Sequence, residues 1–315
     1  MSPNPVDYKL TELGRLVLLL LTRSFTASPG RDFAGVIEEV GSAVNSSPVS
    51  DNAGNDAARD EDTYVYKPGD AVYGRVTHTA FGTLGEYIHA TPSGCVPLPS
   101  SVSPADASTL GTAALSAYQA LVPYVRPGKG DEVFINGGSG GVGTYAIQIA
   151  AKVLGCVVTT SCSTRNISLC TALGASTVLD YTSTSVTEAL RARGQVFRVV
   201  VDNVGVSPAD LYKAADDYLL PEGTYVQIGG GVSELRTLAY RALWPTILGG
   251  GRRKWKLLVA DQQYDHLAQL GQWMQEGKIR AVIDGDIFAF EDVTNAFEKL
   301  KTGRVRGKLV IKVSD

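Results

Sequence analysis

Between Asp131 and Gly155 the chain runs DEVFINGGSGGVGTYAIQIAAKVLG, and this stretch constrains the fold more than any other. DEVFIN is short, apolar and β-branched, and reads as a buried strand. Gly138, Gly140 and Gly143 then satisfy G-x-G-x-x-G as GSGGVG. Tyr145, Ile147, Ile149 and Ala150 open a helical pattern that runs to Leu154 and stops at Gly155. Strand, glycine turn and helix in that order are the context a dinucleotide fingerprint needs. Glycines let the main chain turn tightly and approach a pyrophosphate, whose charge sits over the free N–H groups of the helix N-terminus. The competing reading is a structural glycine turn in an α/β domain that holds no nucleotide.

Around this stretch strands and helices alternate. Candidate strands are 132–136, 157–161, 176–181, 197–204, 223–230 and 256–260, with helices between them at 164–173 and 207–219. Such alternation implies right-handed crossovers and a parallel sheet, and six strands is the count of a doubly wound dinucleotide fold. Pro104–Val122 is rich in small residues and helical, and 263–277 is an amphipathic helix. The N-terminal third reads differently. NPVDYKL, with Pro3 and Pro5, should be extended or irregular before Tyr8. RDFAGVIEEVGSAV, YKPGDAVYGRV, GTLGEYIHA and GCVPLPS are short strand candidates separated by Gly and Pro, which points to a small barrel-like β domain. Residues 45–63 carry almost no large apolar side chain and read as a flexible surface loop. Residues 278–315 return to β patterns and end in GKLVIKV.

Composition narrows the class. Of 315 residues 44% are hydrophobic and 19% charged, ordinary for a globular protein large enough for two domains. A net charge of −3 gives no broad basic surface for nucleic acid or an anionic membrane. The apolar run Leu16–Leu21 is too short to span a bilayer, and Pro3, Pro5 and Asp7 ahead of it do not suit a signal peptide. Cys95, Cys156, Cys162 and Cys170 show neither metal spacing nor a disulfide framework, which fits reduced thiols in a cytoplasmic protein.

A series of motifs in fixed order resembles the medium-chain dehydrogenase/reductase superfamily, in its zinc-free quinone oxidoreductase and enoyl reductase branch. The motifs are NPVDYK at 4–9, GRDFAGVIEEVG at 30–41, KPGDAVYG at 67–74, GTLGEY at 82–87, LGTAALSAYQAL at 110–121 and the glycine run from Ser139. LGASTVLDYT at 173–182, VVVDNVG at 199–205 and GRVRGKLVI at 303–311 complete them. The resemblance implies a GroES-like β domain over 1–109, a Rossmann domain over 110–262 and a return to the GroES-like domain over 263–315. It also implies a β-hairpin ahead of NPVD that is not in this sequence, so the GroES-like domain is expected to be N-terminally incomplete. Zinc members carry His-Glu where this chain has Arg31-Asp32, and a cysteine lobe that is absent here; His78, His89 and His266 are scattered, so no metal is expected.

The residues after the second Rossmann strand, Cys162, Ser163, Thr164, Arg165 and Asn166, include no acid to accept ribose hydroxyls. Hydroxyls and a guanidinium suit a 2′-phosphate instead, which favours NADP(H) over NAD. The resemblance assigns Ser163, Arg165, Asn166 and Tyr181 to that phosphate, Ser139, Gly140, Gly141 and Val142 to the diphosphate, and Asn203 and Gly229 to the nicotinamide pocket. It places Asn4 beside the nicotinamide, with Tyr8 or Lys9 facing the cleft and Tyr8 a candidate proton donor. Asp202 reads equally as part of that pocket or as the cap of a turn. The reaction implied is zinc-independent hydride transfer to the activated C=C bond of an enone, an enoyl thioester or a quinone. The alternative is a non-redox cyclase or an accessory protein of a biosynthetic pathway that keeps the cofactor fold. A homodimer through the last Rossmann strand, 256–260, is also implied.

Overall fold

The structure, a computed structural model, describes residues 1–12, 29–42, 44, 64–76, 82–205, 207–228 and 253–314. The loop 45–63, Gly229, His78 and the run Leu16–Leu21 lie outside the described residues.

Two sheets organise the described chain. The smaller is antiparallel, in the order β1 (Asp32–Val36), β2 (Ala71–Arg75), β3 (Cys95–Pro97). The larger has six strands: β4 (Glu132–Asn136), β5 (Val157–Cys162), β6 (Thr177–Asp180), β7 (Phe197–Asp202), β8 (Leu219–Gln227) and β9 (Lys254–Leu257). Their order is β6-β5-β4-β7-β8-β9, and every pairing is parallel. The chain therefore winds outward from β4 in one direction to β6, then restarts beside β4 at β7. Ligands bind such sheets at that reversal, beyond the carboxyl ends of the strands.

The central strands are apolar on both faces because helices cover both. Val133, Ile135, Val199, Val201 and Val226 join one core with α3 (Leu115–Leu121) and α4 (Gly141–Gln148). The alternate residues Phe134, Val200 and Tyr225 join the other core with Leu190 and Tyr218. The remaining helices are α1 (Pro5–Glu12), α2 (Pro104–Ala107), α5 (Ile167–Leu173), α6 (Val186–Arg193), α7 (Ala215–Tyr218), α8 (Tyr264–Gln275) and α9 (Val293–Lys301). Ser103 caps α2 by accepting from Asp106 N, and Ser185 caps α6 by accepting from Glu188 N.

Five local expectations are corrected. NPVDYKL is helical from Pro5, because a proline at the first helical position gives up only an N–H that would have no partner there. Residues 82–90 form bends rather than a strand; Thr83 N and Leu84 N bond back to Gly30 O and Pro29 O, and Tyr87 is 77% exposed. Within 207–219 only Ala215–Tyr218 is helical; the residues before it form turns, with Leu211 N donating to Pro208 O and Tyr218 Oη donating to Leu211 O at 2.6 Å. The last strand lies at Lys254–Leu257, earlier than 256–260; among the described strands it is at the edge, with Leu257 and Val259 exposed. Finally, 278–315 contains helix α9, whose Val293, Ala296, Phe297 and Leu300 recur at helical spacing; the first three belong to one cluster with Ile311, and Leu300 is buried at the cavity wall.

The small sheet is fastened to the C-terminal part of the chain by Tyr73, fully buried, whose hydroxyl donates to Leu267 O at 2.6 Å. Tyr73→Phe removes that bond with little change of shape. Urea unfolding should show a loss of about 0.5–1.5 kcal/mol; an unchanged midpoint would mean that the bond contributes nothing net.

Candidate functional site

At the carboxyl ends of β4, β5 and β7 lies a cavity of about 720 Å³. Its floor is the turn between β4 and α4. Gly143 makes the turn possible: a Cβ there would stand 2.2 Å from Gly137 O and 2.7 Å from Gly138 Cα, and backbone cannot yield that much. Gly140 occupies the N-cap position of α4 in extended conformation and supplies no side-chain cap. The opening amide groups of a helix then keep their partial positive charge, directed at the cavity.

Asn136, the buried last residue of β4, ties the strand ends together. Its Nδ2 donates to Asp202 Oδ1 at 2.9 Å and to Ser207 O at 2.9 Å, and its Oδ1 accepts from Ser161 Oγ at 2.6 Å. Ser161 Oγ in turn accepts from Gly137 N at 3.0 Å. Asp202 caps the turn after β7, accepting from Val204 N at 3.1 Å and Gly205 N at 2.9 Å, and its other oxygen takes Tyr225 Oη at 2.6 Å. The carboxylate is thus a structural hub rather than a free acid.

One end of the cavity is built from the loops after β5 and β6. Asn166 Nδ2 reaches Ser139 Oγ at 3.0 Å and Ser163 Oγ at 3.3 Å, holding this loop to the glycine turn. Arg165 is exposed, and one of its amino groups donates to Arg304 O at 3.0 Å. Tyr181 is 58% exposed and lines the same wall. Asp180, at the end of β6, accepts from Thr164 Oγ1 at 2.6 Å and from Thr182 N at 2.9 Å. Asn166 Oδ1 and Asn203 Oδ1 are buried acceptors with no hydrogen-bond partner, and both residues line the cavity.

The other end meets the small sheet in a cluster of buried charge. Asn4 Nδ2 donates to Asp32 Oδ2 at 2.9 Å and to Ser2 O at 3.2 Å. Lys308 Nζ donates to Asn4 Oδ1 at 2.5 Å and to Pro3 O at 3.0 Å, and stands 3.6 Å from Asp32 Oδ2. Thr112 Oγ1 donates to Asp32 Oδ1 at 2.5 Å. Asp7 accepts from Asn4 N at 2.8 Å. Burial pushes the Asp7 carboxyl up to about 7, with Asp32 adding to the rise and Lys308 and Arg31 opposing it. Burial also lowers the Lys308 ammonium, against the pull of Asp32 and Asp7.

Of the residues singled out in the sequence, Asn4, Ser139, Gly140, Gly141, Val142, Ser163, Arg165, Asn166, Tyr181 and Asn203 all line this one cavity. Tyr8 does not; its ring lies under Lys301 Nζ at 5.6 Å. Lys9 is exposed and is not in the cavity wall either. Sequence reading passed over Asn136, Ser161 and Lys308. A signal existed for two of them: Asn136 is the polar end of an apolar strand, and Lys308 opens the apolar run LVI.

Comparison with known proteins agrees with this geometry. Residues 173–311 match the family described as zinc-binding dehydrogenase. The trans-enoyl reductase pgmF of Aspergillus terreus is 42% identical over 99% of this chain and 84% of its own length. The chloroplastic quinone-oxidoreductase homolog of Spinacia oleracea is 28% identical over 98% of this chain and 86% of its own. Among solved structures, the quinone oxidoreductase from Coxiella burnetii superposes with a TM-score of 0.76 at 30% identity, covering 99% of this chain and 88% of that one.

The family description names zinc, and the residues described here do not fit it. A zinc ion needs several Cys, His or carboxylate ligands converging at about 2 Å. Among the described residues no group of three or more His, Cys, Asp and Glu side chains is so placed. Asp32 is already engaged by Asn4, Thr112 and Lys308. A pyridine dinucleotide does fit: the glycine turn, the uncapped α4 terminus and the partnerless Asn acceptors are features such a ligand uses. No helix among the described residues is long and apolar enough to cross a membrane.

Asp7 gives the site a measurable pH signature. An acid raised in the fold favours its protonated form, so its contribution is fully present below the ordinary 3.8 and is lost as the pH rises through about 7. Asp7→Asn keeps an acceptor for Asn4 N–H and cannot ionise. Denaturant titrations should show the variant gaining on the wild type across that window, by an amount on the order of a few kcal/mol. A difference that stays flat with pH would mean that Asp7 is charged in the fold throughout.

Proposed function

The chain belongs to the medium-chain dehydrogenase/reductase superfamily, in its quinone oxidoreductase and enoyl reductase branch, and on that premise we propose that it is an NADPH-dependent, zinc-independent reductase of activated C=C bonds. Its substrate class is an enone, an enoyl thioester or a quinone. The observation that carries the cofactor choice is the composition of the wall after β5: Ser163, Arg165 and Tyr181 line it, while the neighbouring carboxylate of Asp180 is bonded to Thr164 and Thr182. A guanidinium without a competing acid suits a 2′-phosphate.

When bound, NADPH would supply hydride chemistry at the electron-poor carbon of the activated double bond, with a proton from solvent completing the reduction. What this chain adds is placement. The α4 terminus and the main chain around Ser139–Val142 hold the diphosphate. Asn166 keeps the β5 loop on the glycine turn. Asn203, after β7, and Asn4 with Pro3 form the wall where the nicotinamide and the substrate would meet. Asn4 acts there by shaping the wall, because both its amide hydrogens are taken by Asp32 and Ser2. A product anion delocalised over a conjugated carbonyl or quinone ring asks for no Lewis acid. The name of the Aspergillus terreus relative, a trans-enoyl reductase, supports an enoyl substrate; the name of the Spinacia oleracea relative supports a quinone.

The test is direct. NADPH mixed with the protein and a panel of enones, enoyl thioesters and quinones should be consumed, as followed by its absorbance, with at least one of them. Tight NADPH binding with no consumption across the panel points instead to a non-redox or accessory role. Arg165→Ala should weaken NADPH binding by about 10- to 100-fold, the equivalent of one charge-assisted bond, and leave NADH binding nearly unchanged. Equal losses for both nucleotides would show that Arg165 only braces Arg304 O.

A further inference from the structure

Lys308 enters the cavity wall from the segment that follows Gly307, and three kinds of contact fix it. Its main chain is paired on both sides: Lys308 N donates to Val282 O at 2.8 Å, and Asp284 N donates to Lys308 O at 2.8 Å. Its methylene stem lies over the glycine turn, so close that a Cβ on Gly141 would meet Lys308 Cδ at 3.1 Å. Its side chain is 4% exposed, and the ammonium faces Asn4 Oδ1, Pro3 O and Asp32. One side chain thus spans from the start of α4 to the N-terminal segment.

A filler at this place needs no charge. Burying an ammonium and a carboxylate carries a desolvation penalty of several kcal/mol per ion, and a well-packed apolar pair is often as stable. What the charge adds is direction. A lysine only donates and a carboxylate only accepts, so the Asn4 amide between Lys308 and Asp32 has one possible polarity. Its oxygen must face Lys308, and its NH₂ must face Asp32 Oδ2 and Ser2 O. Pro3, Asn4 and Pro5 all belong to the cavity wall. Orienting Asn4 therefore orients that stretch of wall, and the same lysine refers it to the glycine turn.

We propose that Lys308 is a positioning residue: its ammonium locks the Asn4 carboxamide, and with it the Pro3–Pro5 wall, against the turn that opens α4. The lock itself follows from the contacts. Its effect on turnover rests on the reductase reading given above. A loosened wall leaves the cofactor bound but the reacting atoms out of line, and a misplacement of about 1 Å can slow a reaction by as much as 100-fold.

A double-mutant cycle tests this. Lys308→Met keeps an unbranched stem over Gly141 and removes the donors; Asn4→Ala removes the group on which they act. Lys308→Met should lower kcat by about 10-fold or more, with NADPH affinity, read by fluorescence titration, little changed. The double variant should be no slower than Asn4→Ala alone, because the lysine acts through the asparagine. Losses that multiply, a kcat equal to wild type, or a defect confined to NADPH affinity would each overturn the proposal. Should the lysine variant not fold, wild-type protein labelled with ¹⁵N in asparagine side chains decides the matter. The Asn4 amide, identified by its absence in Asn4→Ala, should exchange its protons far more slowly than surface asparagines; equally fast exchange would overturn the lock. This second measurement needs no substrate. A wild type that consumes no NADPH therefore fails the reductase reading alone, whereas an active wild type with a freely exchanging Asn4 fails the lock alone.

Discussion

Helix α4 starts without a side-chain cap, and much of the surrounding architecture keeps that end open. A serine or aspartate at the N-cap would satisfy one of the opening amides locally and stabilise the helix by a few tenths of a kcal/mol, on the order of 0.3, over glycine. Gly140 stands there instead. The turn before it is crowded to the point where Gly143 can carry no side chain, because Gly137 O and the Gly138 main chain fill the space. Asn136 and Ser161 hold the preceding strand ends in register from below. The chain gives up local helix stability at this point and gains an array of donors facing a cavity, which is the arrangement an anionic ligand completes.

The opposite end of the cavity is stabilised by different physics. Lys308, Asp32 and Asp7 are all buried within a few residues' reach of one another, where ionic groups are unfavourable unless every partner is present. The contacts are nearly complete: Asp32 receives Thr112 on one oxygen and Asn4 on the other, with Lys308 beside it. Asp7 is the member left over. It faces Asn4 N but shares its surroundings with a second carboxylate, and burial moves its pKa into the neutral range. A cluster of this kind adds less to stability than to specificity of arrangement, since a shift of any one group leaves another unpaired.

How much of this could be read from the residues follows the range of the interactions. The Rossmann sheet was legible because its strands are buried on both faces, so apolar runs such as DEVFIN and FRVVVD stand out whatever their neighbours. The glycine turn was legible because backbone crowding leaves only one residue type. That the residues of the β5 loop reach the cavity was legible through their place after the second Rossmann strand and through the family resemblance. What failed was governed by contacts distant in sequence. GTLGEYIHA is short and bounded by Gly like a strand, yet Thr83 N and Leu84 N bond to residues 30 and 29 and the segment forms bends. Asp202 was ambiguous because acid chemistry and turn capping use the same side chain; only the positions of Val204 N, Gly205 N and Tyr225 separate them. Lys308 was only half legible: its place at the head of LVI hints at burial, but nothing in GRVRGKLVI says that it meets Asn4 and Asp32.

Both ends of the cavity are finally set by one short piece of chain. Gly303, Arg304 and Val305 line it where Arg165 bonds to Arg304 O, and Gly307, Lys308 and Leu309 line it where Lys308 meets Asn4. Between these points Gly307 N donates to Ser139 O at 2.9 Å, on the glycine turn itself. Gly307 is suited to that place because its φ is +73° and a Cβ would stand 2.1 Å from Val282 O. The returning segment is therefore stitched to the turn at its middle and to each wall at its ends. The wall beside Arg165 at one end and the wall beside Asn4 at the other thus share a single backbone of seven residues, 303–309. A displacement of that segment must be felt at both ends together, so the distance between them is a property of its backbone rather than of two sheets moving separately.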